Sequence, residues 1–292
     1  MMEKKIGIVC CSNGLKRSYS ERVKELEETL ASIGLHPVFS EYIYEKNGVS
    51  SGTAKERAQA LMDFYRDDEI EEIFDISGGD IANGILPYLD YEIIVKSEKK
   101  FWGYSDLTTV LNAIYAKTGR PSVLYQIRNI ISEYKEQQIE DVRNTLAECP
   151  EELTSGIDPY EKGLFNIQYQ FVQGNKMQGV VIGGNIRCFL KLAGTEYMPD
   201  FQDKILLLES RSGQVPQMET FLSQLQQLGT FHKISGILLG TFTQMEAEQC
   251  EPTIIELVKS YVGNDMPIAV TKDIGHGKDA KAIIIGKEFV CL

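Results

Sequence analysis

Short apolar runs alternate with amphipathic stretches along the first third of the chain. Residues 5–11 form a continuous apolar run closed by Ser12-Asn13-Gly14, which predicts a buried parallel strand. Over residues 20–33, Val23, Leu26, Leu30 and Ile33 recur on one helical face, and Gly34 follows as a C-terminal stop. A second strand is predicted over 36–44. A second helix follows over 53–65, with Ala54, Ala58, Leu61 and Phe64 aligned. A third strand over 72–76 ends in Ser77-Gly78-Gly79-Asp80, and a short helical segment covers 85–90. A fourth strand then runs into a helix at Ser105. The order βαβα predicts a parallel sheet covered by helices.

The pattern changes between residues 132 and 163, where Glu and Gln abound, large apolar residues are few, and Pro150, Gly156 and Pro159 occur. Beyond it, strands are predicted over 165–172, 178–182, 204–208, 234–239, 267–271 and, as the last, 281–285. Helices are predicted after Gly183-Gly184-Asn185, over 217–228 and over 253–261. The expected architecture is α/β. It comprises an N-terminal Rossmann-like parallel-sheet domain (1–135), a polar helix and linker (136–164) and a smaller C-terminal α/β domain (165–292). A ligand site is expected in the cleft between the domains, at the C-terminal ends of strands.

The 292 residues carry a net charge of −12, which argues against nucleic acid or an anionic membrane surface as partner. No apolar span reaches membrane length, and the N-terminal apolar stretch is too short for a signal peptide. Six cysteines (10, 11, 149, 188, 250 and 291) show no C-x-x-C spacing, and there are only three histidines. Buried thiols in a reducing cytoplasm are expected, without a disulfide framework or a zinc site.

Gly103-Tyr104-Ser105-Asp106 reads as a strand end turning directly into a helix. A serine there projects its hydroxyl outward, beside N–H groups able to hold a developing oxyanion. Leu107 stands where a Gly-x-Ser-x-Gly motif has its second glycine, and a plain helix-capping serine is the alternative. A serine nucleophile needs a base. His36 and His232 sit at helix-to-strand junctions, whereas His276 lies in the glycine-flanked loop Asp273-Ile274-Gly275-His276-Gly277. A turn histidine is the other reading. Glu209 ends the apolar run 205–208 and would leave the sheet where sites form, or be an ordinary strand terminus. The loop Ser77-Gly78-Gly79-Asp80 is not a P-loop, since no Gly-Lys-Ser/Thr follows. It fits better as an oxyanion donor near Ser105.

Taken in order, these pieces resemble the LD-carboxypeptidase family of serine peptidases, which includes the microcin C self-immunity proteins. The resemblance spans nearly the whole chain. It rests on Ser77-Gly78-Gly79, Leu86-Pro87-Tyr88-Leu89-Asp90-Tyr91, Gly103-Tyr104-Ser105-Asp106, Gly183-Gly184-Asn185, Leu208-Glu209 and Gly275-His276. It implies Ser105 as nucleophile, His276 as general base and Glu209 orienting His276, with the backbone N–H groups of Gly79 and Asp106 as oxyanion hole. Gly78, Asp80 and Asn185 are the candidate substrate contacts; Arg187, two residues after Asn185, is a candidate partner for a substrate carboxylate or else a surface residue. The implied reaction releases terminal D-alanine from a murein tetrapeptide through an acyl-enzyme, without metal or other cofactor, in a homodimer. The alternatives are an amidase acting on peptidyl or aminoacyl nucleotides, and a non-catalytic binding protein on the same scaffold.

Three departures from the family pattern bear on the substrate. Cys11-Ser12-Asn13 stands where a Pro-Ser pair is usual, the run from Ser122 to Arg128 stands where Gly-Pro is common, and Asp80 replaces bulkier residues. The sole tryptophan, Trp102, is expected in the core, which disfavours the nucleotide alternative.

Overall fold

The computed structural model describes residues 4–46, 48–146 and 163–292. Most of the expected linker, and Cys149 with it, lie outside the described residues. The strands in chain order are β1 (Lys4–Val9), β2 (Leu35–Phe39), β3 (Ile70–Asp75), β4 (Phe101–Gly103), β5 (Ser122–Leu124), β6 (Gln170–Gln173), β7 (Met177–Asn185), β8 (Lys204–Ser210), β9 (Gly236–Phe242), β10 (Ile268–Val270), β11 (Ile283–Ile285) and β12 (Glu288–Cys291). The helices are α1 (Ser20–Ser32), α2 (Ala54–Arg66), α3 (Tyr91–Lys96), α4 (Thr108–Thr118), α5 (Lys135–Leu146), α6 (Ile186–Phe189), α7 (Val215–Gln227), α8 (Thr243–Ala247) and α9 (Ile254–Val262). None of them is long and apolar enough to cross a membrane.

The strands form two sheets, ordered β11-β5-β4-β3-β1-β2 and β12-β7-β8-β9-β10-β6. Strands β1 to β5 are mutually parallel, as are β7 to β10, and antiparallel strands close three of the four edges. This is the expected two-domain α/β fold.

Local chemistry explains several boundaries. Thr53 and Thr253 each open a helix with a capping box: the hydroxyl accepts from the N–H three residues on, and Glu56 or Glu256 reaches back to the threonine N–H. Helix α4 is buried from Thr108 through Ile114, because it is packed between the two sheets' layers. Its Asn112 is fully buried and exchanges two hydrogen bonds with the Gly183 backbone of β7, each 2.8 Å. Thr108 Oγ1 accepts from Asn185 N at 3.1 Å. The helix behind Ser105 is thereby fixed to the second sheet.

Three expectations change. The strand read over 165–172 begins at Gln170. Gly163–Phe165 is a 3-10 turn whose Phe165 packs near Trp102 in the first sheet's core, ring centroids 6.0 Å apart. Ile283–Ile285, read as the last strand of the second unit, instead pairs antiparallel with β5 in the first sheet, where its three isoleucines are covered on both faces. A further strand, β12, follows it. Its exposed Glu288 and Val290 alternate with buried Phe289 and Cys291, so it shows no continuous apolar run. Trp102 is 1% exposed, stacks on Phe74 and donates to Glu72 at 2.8 Å.

Candidate active site

Ser105 occupies the tight turn between β4 and α4 with φ +56, a left-handed conformation unusual for a residue with a side chain. The chain must reverse there within one residue, which lifts the hydroxyl off the sheet edge. Ser105 Oγ lies 3.1 Å from His276 Nε2, and His276 Nδ1 lies 2.7 Å from Glu209 Oε2. The His276 and Glu209 side chains are 3% and 2% exposed. Glu209 sits near the end of β8, level with Asn185 on β7, so a rigid parallel ladder fixes its carboxylate.

His276 is presented by Gly275, whose φ is +145. A Cβ at Gly275 would stand 2.0 Å from Thr241 Oγ1, so only glycine lets this loop settle on the end of β9. The loop is pinned there by the bond from Thr241 N to Ile274 O, 2.9 Å. The ring of Tyr104 lies against that of His276, centroids 4.7 Å apart. Burial pushes the Tyr104 phenol up to about 12, and the Glu209 charge adds to this while Arg128 and Arg211 oppose it. Chemically, a carboxylate accepting from Nδ1–H leaves the Nε2 lone pair facing the serine hydroxyl, ready to take its proton.

Beside this line of contacts, the loops after β1 and β3 are laced together. Asp75 accepts from Cys11 N (2.6 Å), Ser77 N (2.7 Å) and Ser77 Oγ, and burial raises its carboxyl above the ordinary value. Asn13 N donates to Gly78 O at 3.2 Å, and Asn13 Oδ1 accepts from Asp80 N at 3.2 Å. Gly79 adopts φ +134, and a Cβ there would fall 2.2 Å from Asn13 Cγ. The buried Arg57 guanidinium donates to the carbonyls of Cys11, Gly52 and Ile81, tying both loops to α2.

The remaining expected residues have definite partners. Asp106 is buried; its carboxylate accepts from Ser12 Oγ (2.6 Å) and Ala82 N (2.8 Å) and pairs with Lys191. The serine of Cys11-Ser12-Asn13 therefore supports the turn that carries Ser105. Asp80 is exposed and holds Arg187, which also donates to Gly79 O; the Arg187 guanidinium is thus already engaged. Asn185 is 4% exposed and caps α6, its Oδ1 accepting from Cys188 N at 3.3 Å. A Cβ added at Gly78 would meet nothing within 4 Å. His36 lies in β2 and His232 in an exposed turn, neither with Ser105.

Sequence reading assigned no role to Arg57, Asn112 or Lys191. Asn112 carried a signal: it is the one polar residue in the apolar run Val110-Leu111-Asn112-Ala113-Ile114. The other two are ordinary surface-type residues until the fold surrounds them. Among the described residues, no group of three or more His, Cys, Asp or Glu is placed to hold a metal ion.

Residues 6–125 match the LD-carboxypeptidase N-terminal domain, and residues 178–290 match the LD-carboxypeptidase C-terminal domain. The microcin C7 self-immunity protein of Escherichia coli is 28% identical over 250 residues, covering 77% of this chain and 72% of that protein. A probable murein peptide carboxypeptidase of Bacillus subtilis is 25% identical over 270 residues, covering 88% and 80%. The solved structure of the microcin C7 self-immunity protein in complex with aspartyl sulfamoyl adenosine superposes with a TM-score of 0.82 at 25% identity, covering 99% of this chain and 93% of that one.

Proposed function

This chain belongs to the LD-carboxypeptidase family, and from that premise we propose that it hydrolyses the amide between an L-centre and the terminal D-alanine of murein tetrapeptides. The observation carrying the reading is the unbroken line Ser105–His276–Glu209, assembled from a strand-to-helix turn, a glycine-borne loop and a strand end.

In this reading Ser105 Oγ attacks the amide carbon while His276 Nε2 takes the hydroxyl proton. The N–H groups of Gly79 and Asp106 hold the oxyanion. The intermediate collapses with C–N cleavage, His276 gives its proton to the departing amine, and D-alanine leaves. Water, deprotonated by His276, then attacks the Ser105 ester and releases the tripeptide. Glu209 orients the imidazole and stabilises its cation. The residues required are all protein groups. A cytoplasmic homodimer goes with this reading.

A second reading is favoured by the fold likeness to the microcin C7 self-immunity protein: an amidase that cleaves a peptidyl or aminoacyl nucleotide with the same residues. Mass spectrometry separates the two. Wild type and Ser105→Ala are incubated with a murein tetrapeptide and, in parallel, with an aminoacyl sulfamoyl adenosine. D-alanine release by wild type alone supports the first reading. Cleavage of the nucleotide analogue alone replaces it with the second, and activity that survives in Ser105→Ala refutes both.

A further inference from the structure

Gly79 lies in a loop that its own sterics leave loose. Its φ of +134 suits glycine, and glycine passes to neighbouring conformations at little cost, so bonds must fix the direction of its N–H. Asn13 supplies them on one side. Its N–H donates to Gly78 O and its Oδ1 accepts from Asp80 N, both at 3.2 Å. These peptide bonds are trans, so the Gly79 N–H points opposite to Gly78 O, and Gly79 O points opposite to Asp80 N. The Gly79 N–H has no acceptor among the described residues.

The other side of the loop is held from the second sheet. Arg187, on α6 between β7 and β8, donates to Gly79 O at 3.4 Å and pairs with the Asp80 carboxylate. Lys191, just after α6, donates to Asp80 O at 2.9 Å. Two successive carbonyls of the loop are thus tied to two cations of the facing sheet. Lys191 also pairs with the carboxylate of Asp106, whose N–H is the other oxyanion donor of the proposed reaction.

The Arg187 and Asp80 side chains are 45% and 60% exposed, and ion pairs in that setting add little to stability. What this pair adds is direction. A guanidinium fork that meets a carboxylate and a carbonyl at once fixes the plane of the peptide between Gly79 and Asp80.

We propose that Arg187 is a positioning residue: reaching across from the second sheet, it holds the Gly79–Asp80 peptide so that the Gly79 N–H stays aimed at the oxyanion. This role rests on the hydrolase reading, which makes that N–H a donor, and it adds the residue that keeps the donor in place. The oxyanion hole of the first sheet is then completed by the second.

Nuclear magnetic resonance and kinetics test the loop and the chemistry separately. Glycine labelled with carbonyl carbon-13 and nitrogen-15 gives carbonyl-filtered amide signals only from Gly-Gly pairs, of which the chain has two, Gly78-Gly79 and Gly183-Gly184. Gly78→Ala deletes the first signal and so assigns both; a Cβ there meets nothing within 4 Å. In Arg187→Met the Gly79 amide is expected to shift while that of Gly184, packed on Thr108, holds. On whichever of the murein tetrapeptide and the nucleotide analogue wild type cleaves, kcat should fall about tenfold or more at unchanged KM, with the melting temperature moved by no more than about 2 °C. A Gly79 signal that stays put overturns the proposal. So does an unchanged kcat, a rise in KM alone, which makes Arg187 a substrate contact, or a collapse of the melting temperature, which makes the loss one of folding. If the Gly79 signal shifts but wild type cleaves neither substrate, the brace on the loop stands and the hydrolase reading falls.

Discussion

The ammonium of Lys191 closes on the buried carboxylate of Asp106, joining the turn after α6 to the residue that follows Ser105. Lys191→Met keeps the aliphatic stem and leaves the carboxylate without its ammonium, still accepting from Ser12 Oγ and Ala82 N and bonded to the Cys188 thiol. A buried charge stripped of its counter-ion costs about 3 kcal/mol. The urea midpoint of Lys191→Met should fall accordingly, and kcat should fall with it as the Asp106 N–H shifts. An unchanged midpoint would show that the pair contributes nothing net.

Ser105→Ala and Ser105→Gly both remove the hydroxyl and should both abolish hydrolysis, yet they differ in backbone tolerance. At φ +56 alanine is strained and glycine is not, so the glycine variant should be the more stable of the two by about 1 kcal/mol. Thermal unfolding of the pair measures this directly.

Glu209→Gln preserves shape but reverses the hydrogen bond. An amide that donates to Nδ1 drives the imidazole proton to Nε2, which then faces Ser105 as a donor. Single-turnover kinetics should show kcat reduced about 10³–10⁴-fold, less than the loss on removing Ser105. A loss under tenfold would mean that Glu209 does not set the tautomer.

Gly275→Ala places a methyl group onto Thr241 at a backbone angle alanine avoids. The loop must lift, carrying His276 away from Ser105, and an ångström of displacement costs about 100-fold in kcat. Steady-state kinetics at saturating peptide tests this.

Burial holds the Cys10 and Cys11 thiols well above their ordinary value of 9.0 and pushes those of Cys188 and Cys291 up to about 12. Iodoacetamide at pH 8.5 should therefore label partly exposed Cys250 and spare these four until the protein unfolds. The sign of the linked stability follows. Unfolded thiols ionise from about pH 9 while the folded ones stay protonated, so their contribution is full below pH 9 and is lost as pH climbs through 12. Cys188→Ala should flatten that decline in the unfolding midpoint.

Each of Ser105, Glu209 and His276 carried a local mark in the sequence: a strand-to-helix turn, the end of an apolar run, a pair of flanking glycines. Their spacing in three dimensions did not, because His276 lies 171 positions from Ser105 and 67 from Glu209. Alternation of apolar residues reports burial and leaves the partner unspecified. Hence Ile283–Ile285 was legible as a buried strand but not as a member of the first sheet, and Phe165 as apolar but not as a neighbour of Trp102. Polar partners are harder still. Asn185 reads as a site residue by its motif, while its oxygen caps α6. Arg57 and Lys191 look like surface residues until three loops close around them.

The return of β11 to the first sheet also sets an order of events at the ribosome. Strand β5 is finished at Leu124, but the strand that pairs with its outer side is not made until residue 285. At typical elongation rates of ~5–20 residues per second, that apolar edge waits for on the order of ten seconds. Throughout that interval the nascent chain presents unpaired N–H and C=O groups of the kind that recruit other strands. The first sheet of this molecule is thus completed from both ends of the chain, and its outer edge closes only when the late-made residues arrive.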